Sequence, residues 1–218
     1  MIKNKKKTVF ALAAAVAVVA VGMAVAFIAA SGAEKADFGN ILLGNAEFLY
    51  VSEETAQPKT ISDVPALFDP DDDYMKIWDF AVQELDGDGD AEVVLSVQGI
   101  SGDTGGSLIL HRMGGQVYGY RVRYNAFSWL KADSTYYYSD PSNMVEHGIC
   151  FITGFTETGY TTEKITYGRG PYIGWDTFVV DYQPATEREY YAAINIQNDK
   201  PDAVWYDFTE ENIKSVYE

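Results

Sequence analysis

WDFAVQELDGDGDAEVVLSV, residues 78–97, sets two apolar runs on either side of an acidic turn that holds two glycines. Short runs rich in Val, Leu and Phe, bounded by Asp-Gly pairs, have the pattern of strands joined by a turn, here over 77–85 and 91–98. Turn signals recur downstream at 101–106, Gly114-Gly115, Asp140-Pro141 and Thr158-Gly159. The segments 107–113, 116–124, 135–139, 148–154 and 164–167 between and beside them are expected to be further strands. Connections this short leave no room for crossover helices, so the expected sheet is an antiparallel meander.

Helix returns toward the C-terminus. Thr186-Glu187-Arg188-Glu189 carries the capping-box pattern, in which the threonine oxygen takes one orphan N–H and the glutamate carboxylate another. A helix over 187–198 follows, with Tyr190, Ala193, Ile194 and Gln197 along one face, then a short strand at 204–206 and a terminal turn from Thr209 through Val216. On the N-terminal side, Phe38, Ile41, Leu42 and Ala46 fit a short helix within 34–46, and 53–60 reads as a polar loop holding Pro58. Ser62-Asp63-Val64-Pro65 opens a helical turn that ends at Asp69-Pro70. No repeat of about 20 to 50 residues is present, which argues against a solenoid or a complete propeller. The fold class expected is therefore α+β and mostly β. It comprises an N-terminal segment 1–33, a helical and loop lead-in 34–75, and a β-rich domain 76–218 with peripheral C-terminal helices.

The turn itself carries chemistry. Glu84, Asp86, Asp88, Asp90 and Glu92 occupy alternate positions. A hard cation such as Ca²⁺ takes about 6 to 8 oxygens at about 2.3 to 2.6 Å, which a tight loop supplies from alternate carboxylates, one main-chain carbonyl and a later acid. On that pattern Glu84, Asp86, Asp88 and Glu92 bind through their side chains and Asp90 through its carbonyl, while Gly89 lets the chain curl around the ion. The plainer reading is a solvated Asp-Gly hairpin turn. Against it, five acids so close together repel one another unless a cation sits among them. An EF-hand does not fit, because the position that needs its bidentate glutamate is Leu95 and the flanks are strands. Mg²⁺ is disfavoured because it gives up its waters reluctantly.

Glu84, Asp86, Asp88, Gly89 and Glu92 match the pattern Asp-x-Asp-x-Asp-Gly-x-x-Asp/Glu, so this segment resembles the FG-GAP/VCBS type of calcium-binding hairpin. Glu84 stands where that pattern has an aspartate, and the single copy departs from the repeated hairpins of the family's propellers. The resemblance implies a structural Ca²⁺ at these positions. More loosely, the basic N-terminus, the LDGDG hairpin, the YGY strand, Phe127-Ser128-Trp129-Leu130-Lys131 and Trp205 resemble, in their order, small exported proteins of Gram-positive gut bacteria. That likeness implies a location and no activity.

Residues 1–8, MIKNKKKT, are basic, and Val9 to Ala30 follow without a charge. This is an export signal, either a single-pass anchor through residues 9–30 or a signal peptide cleaved near Ala33. Its length favours the anchor, since a cleavable core is usually about 7 to 15 residues and a spanning helix needs about 20. Either way the lysines stay cytoplasmic and the remainder lies in the cell envelope or outside it. Without residues 1–33, 12 basic residues face 32 acidic ones, a charge of −20. A body that acidic repels phosphate backbones, which excludes nucleic acid as a partner. Cys150 is the only cysteine and sits in an apolar run, so no disulfide forms within the chain.

No catalytic motif stands out. His111 and His147 have no neighbour at metal-ligand spacing, and His147 and Cys150 fall on opposite faces of a strand. Asp69, Asp71, Asp72 and Asp73 lack alternation and glycine and read as a solvated run. The sequence contains 16 Tyr, 11 Phe and 4 Trp, enough to build a glycan-stacking face. Tyr118, Tyr120 and Tyr124 share one strand face, Tyr136 and Tyr138 another, and Trp129 and Trp175 add to the candidates, although such faces more often form core. The expected function is a calcium-stabilised, extracytoplasmic binding or adhesion domain that meets a glycan or a surface protein and lacks catalytic activity. The alternative is a small cell-envelope hydrolase acting on glycans through a carboxylate pair that no motif singles out.

Overall fold

A computed structural model describes residues 38–52, 55–71, 74–99, 105–123, 126–139, 146–170 and 176–218. All of them lie within the unit Ala36–Glu218. The 9–30 anchor, the cleavage position at Ala33, Asp72, Asp73, most of the 101–106 turn, Tyr124, the Asp140-Pro141 turn and Trp175 lie outside the described residues. Among the described residues no helix is long and apolar enough to cross a membrane.

The chain is mostly β, as its sequence pattern requires. Its strands are β1 (Phe48–Ser52), β2 (Thr55–Lys59), β3 (Lys76–Gln83), β4 (Glu92–Gln98), β5 (Gly106–Met113), β6 (Gln116–Arg123), β7 (Tyr136–Ser139), β8 (Glu146–Thr156), β9 (Gly159–Arg169), β10 (Thr177–Val180), β11 (Gln183–Ala185) and β12 (Trp205–Asp207). Three helices are named: α1 (Val64–Phe68), α2 (Glu187–Asp199) and α3 (Glu210–Tyr217). Residues 38–42 form a further helical turn.

The strands form two sheets rather than one. A seven-stranded sheet runs β12-β3-β4-β5-β6-β1-β2, and a five-stranded sheet runs β11-β10-β9-β8-β7. Each contains an antiparallel meander of consecutive strands, β3 to β6 in the first and β7 to β11 in the second. One pair departs from the antiparallel expectation, since β1 lies parallel to β6 with Leu49 opposite Tyr118 and Val51 opposite Tyr120. Gly119 makes this pairing possible: a Cβ there would come within 2.6 Å of the Phe48 ring, which is fully buried over it.

Three apolar clusters define four layers. Phe80, Val93, Leu95, Leu108 and Leu110 face the helical turn 38–42, Val64 and Ile213, so helices cover one side of the seven-stranded sheet. Val94, Ile109 and Val122 on its other side pack with Phe127, Tyr136, Cys150 and Ile152, joining the two sheets face to face. Ile149, Tyr190 and Ile194 then seat α2 on the far side of the five-stranded sheet. β4 therefore buries both faces, which explains why Val93-Val94-Leu95 is a continuous apolar run instead of an alternating one.

Several boundaries differ from the sequence expectation for local reasons. The first helix stops at residue 42 because Gly44 adopts φ +78°, with Gly44 N–H bonding Ile41 O and Asn45 N–H bonding Asn40 O, the Schellman closure. The stretch expected as helical and loop lead-in contributes β1 and β2 to the sheet. Pro58 is tolerated in β2 because β2 is an edge strand, where a missing N–H breaks no ladder on its free side. The β10–β11 hairpin turns on Asp181 (φ 48°) and Tyr182 (φ 65°), a left-handed pair that no glycine announces.

Candidate metal centre

The acidic turn connects β3 to β4, with Gln83 opposite Glu92 at its base. It is wider than a two-residue hairpin. Its left-handed positions are Gly87 (φ +84°) and Gly89 (φ +100°), and a Cβ at either would meet nothing within 4 Å, so backbone conformation rather than space calls for glycine. Between them the acids fold the chain onto itself. Glu84 Oε1 accepts Asp86 N–H at 3.0 Å and Gly87 N–H at 2.5 Å; Asp86 Oδ1 accepts Asp88 N–H at 3.3 Å, and Asp88 Oδ1 accepts Asp90 N–H at 2.8 Å. Glu84, Asp86 and Asp88 thus each cap the amide two residues on through one carboxylate oxygen.

The end of the turn is buried. Glu92 is 1% exposed, and its Oε2 accepts Leu85 N–H at 2.7 Å while its Oε1 lies 2.9 Å from His111 Nδ1. Burial pushes the Glu92 carboxyl up to about 7, against the pull of His111 and the Leu85 amide, and the neighbouring Asp86 adds to the rise. Asp86 is also raised, first by burial and then by Asp88 beside it. The turn is buttressed from outside: Ser134, itself at φ 67°, donates to Glu84 O and receives Gln83 Nε2 at 2.9 Å.

Two overlapping groups of donors result. Glu84, Asp86 and Glu92 bring one oxygen each within 4.8 Å of one another, and Asp86, Asp88 and His111 do the same with a ring nitrogen of His111. Two oxygens bound to one ion at about 2.4 Å can be at most about 4.8 Å apart, so the donor sets fit a shared cation. These side chains could hold a metal ion. Four of the five expected ligands, Glu84, Asp86, Asp88 and Glu92, fall into these groups; Asp90 is exposed, and its side chain belongs to neither.

Against family models, curated proteins and solved structures alike, the chain has no match.

His111 is the residue that spacing along the chain missed. It lies in β5, and the β4–β5 register, in which Val93 faces Leu110, carried one step further sets Glu92 opposite His111. That register is visible only once the two strands are paired. The other expected sites separate. Cys150 is buried between the sheets, where burial pushes its thiol up to about 11, whereas His147 meets Tyr190 on the α2 side of β8. Tyr120 and Tyr136 are core: Tyr120 donates to Thr156 O at 2.8 Å, and Tyr136 stacks on Phe127 at 4.3 Å. Tyr118 is half-buried, and Tyr138 donates to Glu146. Trp129 remains exposed. Asp69 is half-buried and Asp71 exposed, in a turn closed by Asp71 N–H on Asp69 Oδ1.

Proposed function

We propose that this chain is an exported, membrane-tethered or secreted domain whose 84–92 turn binds Ca²⁺ as a structural ion, and which acts outside the membrane as a binding or adhesion module. The observation that carries the reading is the convergence of Glu84, Asp86 and Glu92 at the mouth of β4, with carboxylate oxygens spaced as one ion requires. The basic and apolar N-terminus supports export, where Ca²⁺ is abundant enough to fill a modest site. The ion would tie the start of β4, the strand buried on both faces, to the end of β3, so its effect would be on stability. The likeness to FG-GAP/VCBS hairpins belongs to the same proposal.

The test is a thermal melt with Ca²⁺ and with chelator. At 100 times the dissociation constant, bound ion adds about 2.7 kcal/mol, a clear rise in Tm that Asp86→Ala and Asp88→Ala abolish. Equal melting with ion and with chelator sinks the calcium reading.

A further inference from the structure

We propose that Asp79 and Asp207 form a proton-operated clasp between β3 and β12: one proton shared by the two carboxyl groups holds β12 on the seven-stranded sheet, and its loss loosens β12 together with α3 behind it. The register sets Trp205 opposite Ala81, Tyr206 opposite Phe80 and Asp207 opposite Asp79. One step further along the same register, Phe208 N–H bonds Trp78 O at 2.8 Å. Hydrogen-bonded and non-hydrogen-bonded pairs alternate in an antiparallel ladder, so Asp79 and Asp207 are a non-hydrogen-bonded pair, the kind whose side chains stand closest. Both lie on the face away from the helical layer. Their neighbours Phe80 and Tyr206 pack together on the helical side, with ring centroids 5.4 Å apart, while Trp205, two residues from Asp207, packs between the sheets.

Carboxylates directly opposite one another repel when both are ionised. Asp79 is half-buried, and its Oδ1, closed off from solvent, receives no hydrogen bond among the described residues. A buried carboxylate oxygen without a donor is costly. One proton removes both costs, because the acid form of Asp79 directs an O–H at the Asp207 carboxylate and makes a charge-assisted bond. Ser96 of β4, which takes Gln98 Nε2 at 3.0 Å, bonds the Asp79 carboxyl group, and Asp207 acts on it from β12. Among the described residues no lysine, arginine or histidine acts on it. Burial, and after it Asp207, raise the Asp79 carboxyl above the ordinary 3.8, against the pull of Ser96. The folded chain therefore keeps a proton that the unfolded chain has released, so the clasp is complete at low pH and is lost as the pH rises through the elevated value of Asp79. β12 is three residues long, and Asn212 Nδ2 of α3 donates to Asp207 O at 3.0 Å, which ties any movement of Asp207 to α3.

The experiment follows amide exchange in the full chain, in mild detergent with chelator, from pH about 4 to about 8, each rate divided by the intrinsic rate at that pH. Protection of the Tyr206 and Phe208 amides, relative to those of β5, is expected to fall by roughly tenfold as the pH rises. Asp79→Asn places a side-chain amide that donates to Asp207 at every pH, and it is expected to hold protection level across the range. A flat profile in the unaltered chain overturns the proposal, and so does an equal fall in Asp79→Asn. Should Asp79→Asn fail to fold, ¹³C carboxyl spectra of the unaltered chain decide. Asp79 and Asp207 must then titrate together in two coupled steps, and independent single steps overturn the assignment.

Discussion

Glu92 shows how one residue can serve the fold and the site at once. Its carboxyl is fully enclosed, so ionising it costs free energy that Leu85 N–H and His111 only partly return. The folded chain therefore keeps a proton on Glu92 where the unfolded chain, at the ordinary value of 4.5, has released it. Its contribution to stability is complete below that value and is lost as the pH rises through about 7. In chelator, the stability of the unaltered chain relative to Glu92→Gln is expected to fall between those two values, measured by urea melts at a series of pH. A flat difference would mean that Glu92 is solvated. Glu146 behaves in the opposite way: burial alone would raise it, but Lys164, Arg169 and Tyr138 together hold it below the usual carboxylate range. Gly119 is decisive for a different reason, because the Phe48 ring occupies the space a side chain would need. Gly119→Val is expected to cost about 1 to 3 kcal/mol or more in chemical denaturation, with β1 displaced from β6.

Among the elements, α2 is held at both ends by contacts of different origin. Its N-terminus is closed by the capping box, with Glu189 N–H bonding Thr186 Oγ1 at 3.3 Å and Thr186 N–H bonding Glu189 Oε2 at 2.8 Å. Thr186→Ala is expected to lower stability by about 1 kcal/mol, read as a shift of the denaturation midpoint. Its C-terminus is closed by Lys131, a buried lysine from the segment after β6, whose Nζ donates to Asn198 O at 3.1 Å and Lys200 O at 3.2 Å and pairs with Asp202 at 2.6 Å. A cation at the negative end of a helix meets both the dipole and the orphan carbonyls. The capping box was readable four residues at a time, whereas the lysine cap joins residues about 70 positions apart and leaves no local trace. The same contrast separates the hairpins. Gly114 and Gly115, at φ +61° and +81°, turn β5 into β6 as their sequence announces. Asp181 and Tyr182 make the equivalent left-handed turn without glycine, held by the strands they join.

For the whole molecule, the order of layers sets where stability resides. β4 and β5 lie in the middle of the seven-stranded sheet and under both the helical layer and the second sheet, whereas β2 and β11 are edges. Amide exchange is expected to be slowest in β4 and β5 and fast in β2 and β11, and comparable rates across the sheet would contradict the layering. Metal bound at 84–92 is expected to slow exchange at the β3–β4 junction first, since that is where its ligands meet. The sequence alone determined most of the strands, α2 and its cap, the terminal helix and the acid spacing of the turn. Each of these depends on contacts within a few residues: alternation, Asp-Gly turns, a capping box, carboxylates two positions apart. Only the tertiary structure decided that the strands divide into two facing sheets, that β1 joins β6 in parallel, that Tyr120, Tyr136 and Tyr138 pack between the sheets while Tyr137 packs toward α2, and that His111 stands beside Glu92. Those facts depend on which strand lies next to which. That choice is made by burying both faces of β4 at once, a condition that no single stretch of the chain can express.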